Sequence, residues 1–423
     1  MSNQPNAGLS RRSFVRNLGA ASVAAASFPA LAAVQAASAP QPPRGGMTVG
    51  DMSSLGGWTP DNVVVISMNE NPLGPAPSAL DAIAKTACMG NRYHGDIIQK
   101  TVTTAANLFS LPRSYVGLFP GSAGPLNLAL ASNLGPDRPL VYADPSYEQG
   151  PGVADMLGAP KFPVKLTATY AHDVRAMVAA TPKAGAYYIV NPNNPTGTVT
   201  PKADIVWLLK NKPAGSVVIV DEAYHHFSNE ESCIDLVAAD QDIIVTRTFS
   251  KIYGMAGLRA GLAFARPDYF QRFRAASMFA PSLASISVTS AAGANAALLD
   301  QEIVPLRRKI NADVRSETLE FLARRGYTLV PGSQTNFFMV DVKRPGGEFQ
   351  SAMLAENIAI GRTWPAMPTY VRITVGTRDE MAKFQAAFVK CMDQPPAAAN
   401  GAPRLYSPAL NPTELRRYET AFA

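Results

Sequence analysis

The chain has 423 residues, of which 47% are hydrophobic and 17% are charged. These values exclude an intrinsically disordered chain and are sufficient for the cores of two to three domains. The formal net charge is +6, but Arg11, Arg12 and Arg16 lie in the first 36 residues, which contain no acidic residue. The positive charge therefore belongs partly to the N-terminus, and we predict no nucleic-acid binding from it.

The N-terminus resembles a twin-arginine export signal. A Ser-Arg-Arg-Ser-Phe run begins at Ser10, and a weakly apolar, alanine-rich stretch follows at 18–34 with small-residue cleavage sites at its end. This stretch is too short and too mild for a stable transmembrane helix. We predict a signal segment over 1–36 and a periplasmic or otherwise exported protein. The alternative is a disordered N-terminus on a cytoplasmic protein.

The middle of the chain alternates short apolar runs with longer amphipathic stretches. The runs are β-branched or aromatic and are bounded by turn residues, as buried strands are: 116–119, 139–142, 186–190, 216–220 and 242–246. Helix-like segments such as 203–209 separate them. This alternation predicts an α/β fold with a large, mainly parallel sheet, whose ligands bind beyond the carboxyl ends of the strands.

Composition and periodicity also predict the division of the chain into domains. The residues after the leader are rich in Pro, Gly and Ser, which predicts an N-terminal arm over 37–95 before a large sheet domain over 96–300. A long helix-like segment and two later strand-like runs predict a smaller α+β domain over 301–392. Residues 393–423 are predicted to form a Pro- and Ala-rich tail.

Lys251 follows the last strand-like run of the large domain, between Ser250 and Arg259. A lysine amine can form a Schiff base with an aldehyde. Ser250 and Arg259 supply hydrogen-bond donors suited to a phosphate, with arginine offering a bidentate fork. The alternative is a surface lysine beside a helix-capping serine.

Asp221 directly follows a buried apolar run, where a carboxylate needs a partner. A protonated pyridine nitrogen is such a partner, because the pair keeps the ring an electron sink. If such a pyridine ring also carries a phenolate oxygen, Tyr224 and Asn194 can donate to it. Asn194 lies in an Asn-Asn-Pro-Thr-Gly turn. The alternatives are a helix-capping Asp221, a core Tyr224 and an ordinary turn at Asn194.

Four further residues carry candidate chemistry. Ser122 and Ala123 lie between the first strand-like run and a helix-like segment at 125–133, a setting in which backbone N–H groups hold phosphate. Tyr147 follows the second run and could stack on a flat ring or be a core or rim residue. Arg372 lies in an alternating apolar run, where a buried arginine would need an anion such as a substrate carboxylate as its partner. The alternative is a solvent-facing residue of an edge strand.

Taken in order, these motifs resemble the fold-type I aminotransferases, and most closely the histidinol-phosphate aminotransferase family. The resemblance covers about Val64 to about Val389 and rests on the following runs: Asn-Glu-Asn-Pro-Leu-Gly-Pro from Asn69, Asn-Arg-Tyr at 91–93, Asn-Asn-Pro-Thr-Gly, Asp-Glu-Ala-Tyr, Ser-Lys with Ala-Gly-Leu-Arg, and Arg-Ile-Thr-Val-Gly-Thr from Arg372. It implies a large domain that binds pyridoxal 5'-phosphate (PLP) and a smaller C-terminal domain. The implied reaction is transamination between a small-molecule amino donor, such as histidinol phosphate or a related amino acid or amino alcohol, and a 2-oxo acid such as 2-oxoglutarate.

The resemblance also implies a role for each matched residue. Lys251 would hold the cofactor and shuttle a proton, Asp221 would pair with the pyridine nitrogen, and Tyr147 would stack on the ring. The ring oxygen would be bound by Asn194 and Tyr224, and the phosphate by Ser122, Ala123 through its backbone, Ser250 and Arg259. Tyr93 would reach the cofactor phosphate of a partner subunit, which implies a homodimer. Substrate would be bound by Arg372, Arg362 and Asn71.

Two other functions remain open on sequence alone. Lys251 and Asp221 would equally serve decarboxylation, elimination or racemisation of an amino acid on the same fold. A protein that binds the cofactor without catalysis is the second. No CxxC or HxxxH cluster is present, and no metal site is predicted.

Overall fold

A computed structural model describes residues 63–277 and 286–393, and all of these belong to one compact unit. The predicted signal segment, the first part of the predicted arm and all but the first residue of the predicted tail lie outside the described residues. Within the described ranges, no helix is both long enough and apolar enough to cross a membrane.

The described strands and helices alternate between Val116 and Thr248. The strands are β1 (Val64–Ile66), β2 (Val116–Phe119), β3 (Leu140–Asp144), β4 (Lys161–Lys165), β5 (Ala186–Val190), β6 (Val217–Asp221), β7 (Ile243–Thr248), β8 (Gly261–Phe264), β9 (Thr328–Leu329), β10 (Phe337–Asp341), β11 (Ile358–Ile360) and β12 (Tyr370–Thr374). The helices are α1 (Pro77–Ala87), α2 (Gly95–Leu108), α3 (Ala123–Ala131), α4 (Gln149–Met156), α5 (Val174–Ala180), α6 (Lys202–Asn211), α7 (Ile234–Ala238), α8 (Pro267–Ala276), α9 (Val288–Leu299), α10 (Ile303–Arg324), α11 (Gly346–Ala355) and α12 (Arg378–Asp393).

The predicted large sheet is confirmed, with seven strands in the order β2-β8-β7-β6-β5-β3-β4. Its central pairs are parallel, whereas β8 is antiparallel to both β2 and β7. Because β8 reverses the direction twice, β2 points the same way as β7. The carboxyl ends of β2, β3, β5, β6 and β7 therefore meet at one edge of the sheet.

Every residue of β5, β6 and β7 is buried, which explains the continuous apolar runs of β5, of 217–220 in β6 and of 243–245 in β7. Successive side chains of a strand point to opposite faces, so Tyr187 and Tyr188 of β5 pack into two different apolar clusters. The sequence did not predict β4 or β8. The edge strand β4 is only half-buried or exposed at each position, and β8 contains no β-branched residue.

A second set of strands lies in the C-terminal part of the described chain. β10 pairs with β12 and β9 in an antiparallel sheet, and its apolar cluster includes Phe338, Phe384 and Phe388. The short strand β1, from the predicted arm, pairs in parallel with β11. The same predicted arm contains helix α1, which packs against α9.

Candidate active site

The carboxyl edge of the large sheet carries the predicted cofactor residues. Ser122 follows β2, Asn194 follows β5, Asp221 ends β6, and Ser250 and Lys251 follow β7. Arg372 of β12 comes from the second sheet, and its Nη1 donates to Asn194 Oδ1 at 2.7 Å. The site therefore lies where the C-terminal sheet meets this edge.

Asp221 is buried, with 4% of its surface exposed. Its Oδ1 accepts from the Ala223 N–H at 3.1 Å and the Thr246 hydroxyl at 3.2 Å, and its Oδ2 accepts from the Tyr188 hydroxyl at 3.3 Å. Burial raises the pKa of Asp221 to about 6, and these donors act in the opposite direction. The next helical turn begins only at His225, so Asp221 does not cap a helix.

Lys251 is half-buried, and its Nζ donates to the Met68 carbonyl at 3.1 Å. Burial lowers the pKa of Lys251 to about 8, and the nearby charge of Arg372 lowers it further. The Nζ atom also lies 5.6 Å from the centre of the Tyr224 ring. These contacts show that the amine points into the site, which excludes the alternative of a surface lysine.

Asn69 lies in the site but was not predicted as a site residue. Its Nδ2 donates to the Tyr224 hydroxyl at 2.9 Å, and its Oδ1 accepts from the Thr374 hydroxyl at 3.0 Å. Asn69 is 1% exposed and has a φ of 56°, a left-handed conformation that asparagine tolerates better than most residues. It thus joins Tyr224 of the large sheet to β12.

Ser122, Ser250 and Arg259 surround a cradle at the start of α3. Arg259 Nη1 donates to Ser250 Oγ at 3.4 Å, and Gly121 has a φ of 86°. A Cβ atom at Gly121 would displace the Arg259 guanidinium, and the positive φ is one that glycine adopts without strain, so glycine keeps this backbone beside the arginine. The helix begins at Ala123 rather than at the predicted residue 125, which puts the first N–H groups of the helix beside these donors.

Arg372 is a buried cation with 6% of its surface exposed. Its Nη1 donates to Asn194, and its Nη2 donates to the Ser67 carbonyl at 2.7 Å. Its Nε has no hydrogen-bond partner among the described residues. No carboxylate forms a salt bridge with it within those residues. Burial lowers the pKa of Arg372 to about 10. The alternative of a solvent-facing arginine is therefore wrong.

Arg362 differs from Arg372 because it already has an acidic partner. Its Nη2 forms an ion pair with the Glu148 carboxylate. The guanidinium of Arg362 lies 5.0 Å from the centre of the Trp364 ring, and that of Arg372 lies 5.2 Å from the same ring. Glu148 and Trp364 were not predicted as site residues, because only the folded chain brings them beside both arginines.

The remaining predicted residues occupy different environments. Tyr147 is half-buried, and burial raises the pKa of its hydroxyl to about 12, with Tyr224 and Asp221 close enough to contribute. Asn71 donates to the Ile252 carbonyl at 3.0 Å and accepts from the Leu73 N–H at 3.1 Å. Its amide is thus engaged by backbone and braces the loop after Lys251. Tyr93 is 81% exposed and is not brought into the site of its own chain.

The chemical groups present fit pyridoxal 5'-phosphate. The cradle at Gly121 offers a helix N-terminus and an arginine to a phosphate dianion, and Asp221 offers a buried carboxylate to a protonated ring nitrogen. The amine of Lys251, with its lowered pKa, is suited to react with an aldehyde. A site of this composition at the carboxyl edge of a mainly parallel sheet defines a PLP-dependent enzyme.

The comparison with known proteins identifies the family. Residues 61–388 match the model of aminotransferase class I and II, and the chain belongs to this family. The protein is thus a PLP-dependent aminotransferase, which transfers an amino group from a small-molecule donor to a 2-oxo acid.

Relatives with more specific names cover most of the chain. It is 32% identical over 330 residues to histidinol-phosphate aminotransferase 1 of Nitrosococcus oceani, covering 76% of this chain and 86% of that protein. It is 31% identical over 322 residues to an aromatic amino acid aminotransferase of Cutibacterium acnes, covering 75% and 89%. The crystal structure of histidinol-phosphate aminotransferase from Sinorhizobium meliloti in complex with pyridoxal-5'-phosphate shares the fold, with a TM-score of 0.72, 23% identity, and coverage of 86% of this chain and 97% of that one.

Proposed function

We propose that this aminotransferase takes a donor with one anionic group and one ring, either an aromatic amino acid or histidinol phosphate, and a 2-oxo acid such as 2-oxoglutarate as acceptor. The observation that supports this most directly is the buried guanidinium of Arg372, whose Nε is unpaired among the described residues. A buried charge without a counter-ion is unfavourable, and a bound carboxylate or phosphate would compensate it with a bidentate contact. Arg372 would thus bind the anionic group of donor and acceptor in turn.

Lys251 is proposed as the proton carrier of the reaction. When bound, PLP supplies an aldehyde and an electron-withdrawing ring. Because the pKa of Lys251 is lowered to about 8, its amine is neutral in an appreciable fraction of molecules near neutral pH and can accept a proton at Nζ. It would take the proton from the substrate α-carbon and deliver it to the cofactor carbon.

The other site residues are proposed to orient the cofactor. Asp221, held as a carboxylate by its three donors, would accept the N–H of the ring. The phenolate oxygen of the ring would be bound by Asn194 and Tyr224, with Tyr147 packing on the ring face. The phosphate would be bound by Ser122, the Ala123 backbone, Ser250 and Arg259. In a homodimer, the exposed Tyr93 would add a contact from the second subunit.

The preference for a donor with a single anionic group rests on Glu148. In the described chain Glu148 neutralises Arg362, so that of the two arginines beside Trp364 it is Arg372 that has no acidic partner. Trp364 is buried against both guanidinium groups and gives this part of the site an aromatic, apolar character that suits a ring-bearing donor. The names of the relatives, one for histidinol phosphate and one for aromatic amino acids, agree with these two kinds of donor.

An absorbance titration of the purified holoenzyme tests this function. Histidinol phosphate, phenylalanine, glutamate and alanine would each be added, and recovery of the starting spectrum with 2-oxoglutarate would then be followed. We expect the ring-bearing donors to convert the cofactor at lower concentrations than glutamate or alanine. A clear preference for alanine, or conversion that no 2-oxo acid reverses, would contradict the proposal. Lys251→Ala, loaded with cofactor, serves as the inactive control.

We also propose that the protein is exported in its folded form, on the strength of the twin-arginine run at its N-terminus. Cell fractionation of a strain that expresses the full chain tests this. The expected result is a shortened enzyme in the periplasmic fraction. With Arg11→Lys and Arg12→Lys together, the enzyme should remain in the cytoplasm at full length. Mature enzyme found only in the cytoplasm of the unmodified strain would contradict export.

A further inference from the structure

Tyr188 contacts Asp221 from the neighbouring strand, within the buried core of the sheet. It lies on β5, next to β6, and its side chain is fully buried. Its hydroxyl donates to Asp221 Oδ2 at 3.3 Å, and within the described chain this is the hydrogen bond that satisfies it. A buried hydroxyl needs such a partner, and here the partner is the carboxylate of the site itself.

The packing around Tyr188 fixes the position of this hydroxyl. Helix α4 passes so close that a Cβ atom on Gly150 would lie 2.6 Å from Cδ1 of the Tyr188 ring. The ring therefore rests on the backbone of α4, at a position where no other residue type fits without a shift. The neighbouring Tyr187 points to the opposite face of the sheet, and its buried hydroxyl has no partner in the described part of the chain.

The two oxygens of Asp221 are supported unequally. Oδ1 accepts from the Ala223 N–H and the Thr246 hydroxyl, whereas Oδ2 accepts from Tyr188. Hydrogen bonds donated to a carboxylate favour its charged form, and burial opposes that form. A buried carboxylate without donors would tend to take up a proton. By donating to Oδ2, Tyr188 helps Asp221 to stay charged.

We propose that Tyr188 is a positioning residue of this enzyme, which holds Asp221 ionised and fixed in orientation toward the ring nitrogen of the cofactor. This inference rests on the proposed pairing of Asp221 with that nitrogen. Tyr188 is fully buried and its hydroxyl donates to Asp221, so we expect its loss to affect the position of one proton rather than the binding of substrate or of the cofactor phosphate. Without the hydroxyl, the proton shared between Asp221 and the ring nitrogen moves toward Asp221, and the ring withdraws electrons less strongly.

The test compares the holoenzymes of Tyr188→Phe and Tyr187→Phe. Both variants delete one buried hydroxyl from adjacent residues of the same strand, but only the first removes a donor to Asp221. A proton held between a buried carboxylate and a ring nitrogen gives a far-downfield ¹H NMR resonance. We expect Tyr188→Phe to shift or abolish this resonance and to lower kcat about tenfold, the effect of one pKa unit, with little change in KM. Tyr187→Phe should leave the resonance and kcat unchanged.

Asp221→Asn separates this inference from the proposed function. If the resonance survives Asp221→Asn, the proposed pairing of Asp221 is wrong and the role of Tyr188 falls with it. If Asp221→Asn abolishes the resonance and Tyr188→Phe leaves it in place, only the role of Tyr188 is overturned.

A second variant covers the case in which Tyr188→Phe does not fold. Replacing Tyr188 with 3-fluorotyrosine keeps the ring and makes the hydroxyl a stronger donor. The same resonance should then move in the direction that indicates a proton held closer to the ring nitrogen. An unchanged resonance in this variant would overturn the inference by itself.

Discussion

Arg372 and Asn194 are joined by a hydrogen bond of 2.7 Å between residues that belong to different sheets. Asn194 follows β5 of the large sheet, and Arg372 lies on β12 of the C-terminal sheet. A substrate anion held by Arg372 is therefore placed at a fixed distance from the residue proposed to bind the cofactor ring oxygen. With these proposed roles, substrate and cofactor would be held in a fixed relative position, which is what transfer of a group between them requires.

Replacement of Arg372 tests its role as the anion-binding residue. Arg372→Lys keeps a positive charge but loses the planar fork, so we expect KM to rise about tenfold or more for the amino donor and the 2-oxo acid alike. Steady-state kinetics with each substrate varied in turn would measure this. Arg378→Lys is the matched control, because Arg378 pairs with Glu317 on the surface. An effect on the donor alone would show that the acceptor is held elsewhere.

Lys251 should determine how fast the apoenzyme takes up PLP as the pH changes. Its pKa is lowered from 10.5 to about 8, and only the neutral amine attacks an aldehyde. The rate of uptake should therefore rise with pH and level off above an apparent pKa of about 8, as stopped-flow absorbance would show. Because the charge of Arg372 lowers this pKa, Arg372→Gln should shift the midpoint upward. A midpoint near 10.5 in the unmodified enzyme would contradict a buried amine.

Glu148 should set the preference between donors with one and two anionic groups. Glu148→Gln removes the ion pair and leaves the Arg362 guanidinium free for a second carboxylate. Both side chains are partly exposed, so we expect a modest effect, an increase of about threefold to tenfold in kcat/KM for glutamate relative to phenylalanine. Arg362→Gln is the companion variant and should not produce that increase. A ratio that falls in Glu148→Gln would mean that Glu148 helps to bind the donor instead.

Asn69 should contribute to stability through two separable effects. Asn69→Ala loses the bonds to Tyr224 and Thr374 and also forces a left-handed φ of 56° on alanine. Asn69→Gly loses the same bonds without the backbone strain. We expect urea unfolding to give a loss of about 2 to 4 kcal/mol for alanine and about 1 kcal/mol less for glycine. Equal losses would show that the backbone of Asn69 is unstrained.

The cofactor residues were predictable because each stands at a fixed place relative to a strand. Asp221 ends an apolar run and Lys251 follows another, so the rule that ligands bind at the carboxyl ends of parallel strands predicts that they lie together. The parallel core was predictable for the same reason, since strands buried on both faces have continuous apolar sequences.

Contacts between distant parts of the chain could not be predicted in this way. Asn69 and Tyr224 are 155 residues apart, and Glu148 and Arg362 are 214 apart, so no local pattern connects them. Helix α3 begins at Ala123, two residues before the predicted start at 125, because proline fits anywhere in the first turn of a helix. Tyr188 looked like an ordinary strand residue, because its hydroxyl has a partner only across the sheet.

The pairing of β1 with β11 has a consequence for the order in which the enzyme is completed. β1 leads directly into Ser67, Met68 and Asn69, which contact Arg372, Lys251 and Tyr224. On the ribosome β1 emerges early, yet its partner Ile358–Ile360 emerges only after the whole large sheet has been made. Strand pairings between such distant segments form late in folding. The nascent chain can thus assemble the cofactor cradle first, while the substrate side of the site closes only once β11 and β12 have left the ribosome.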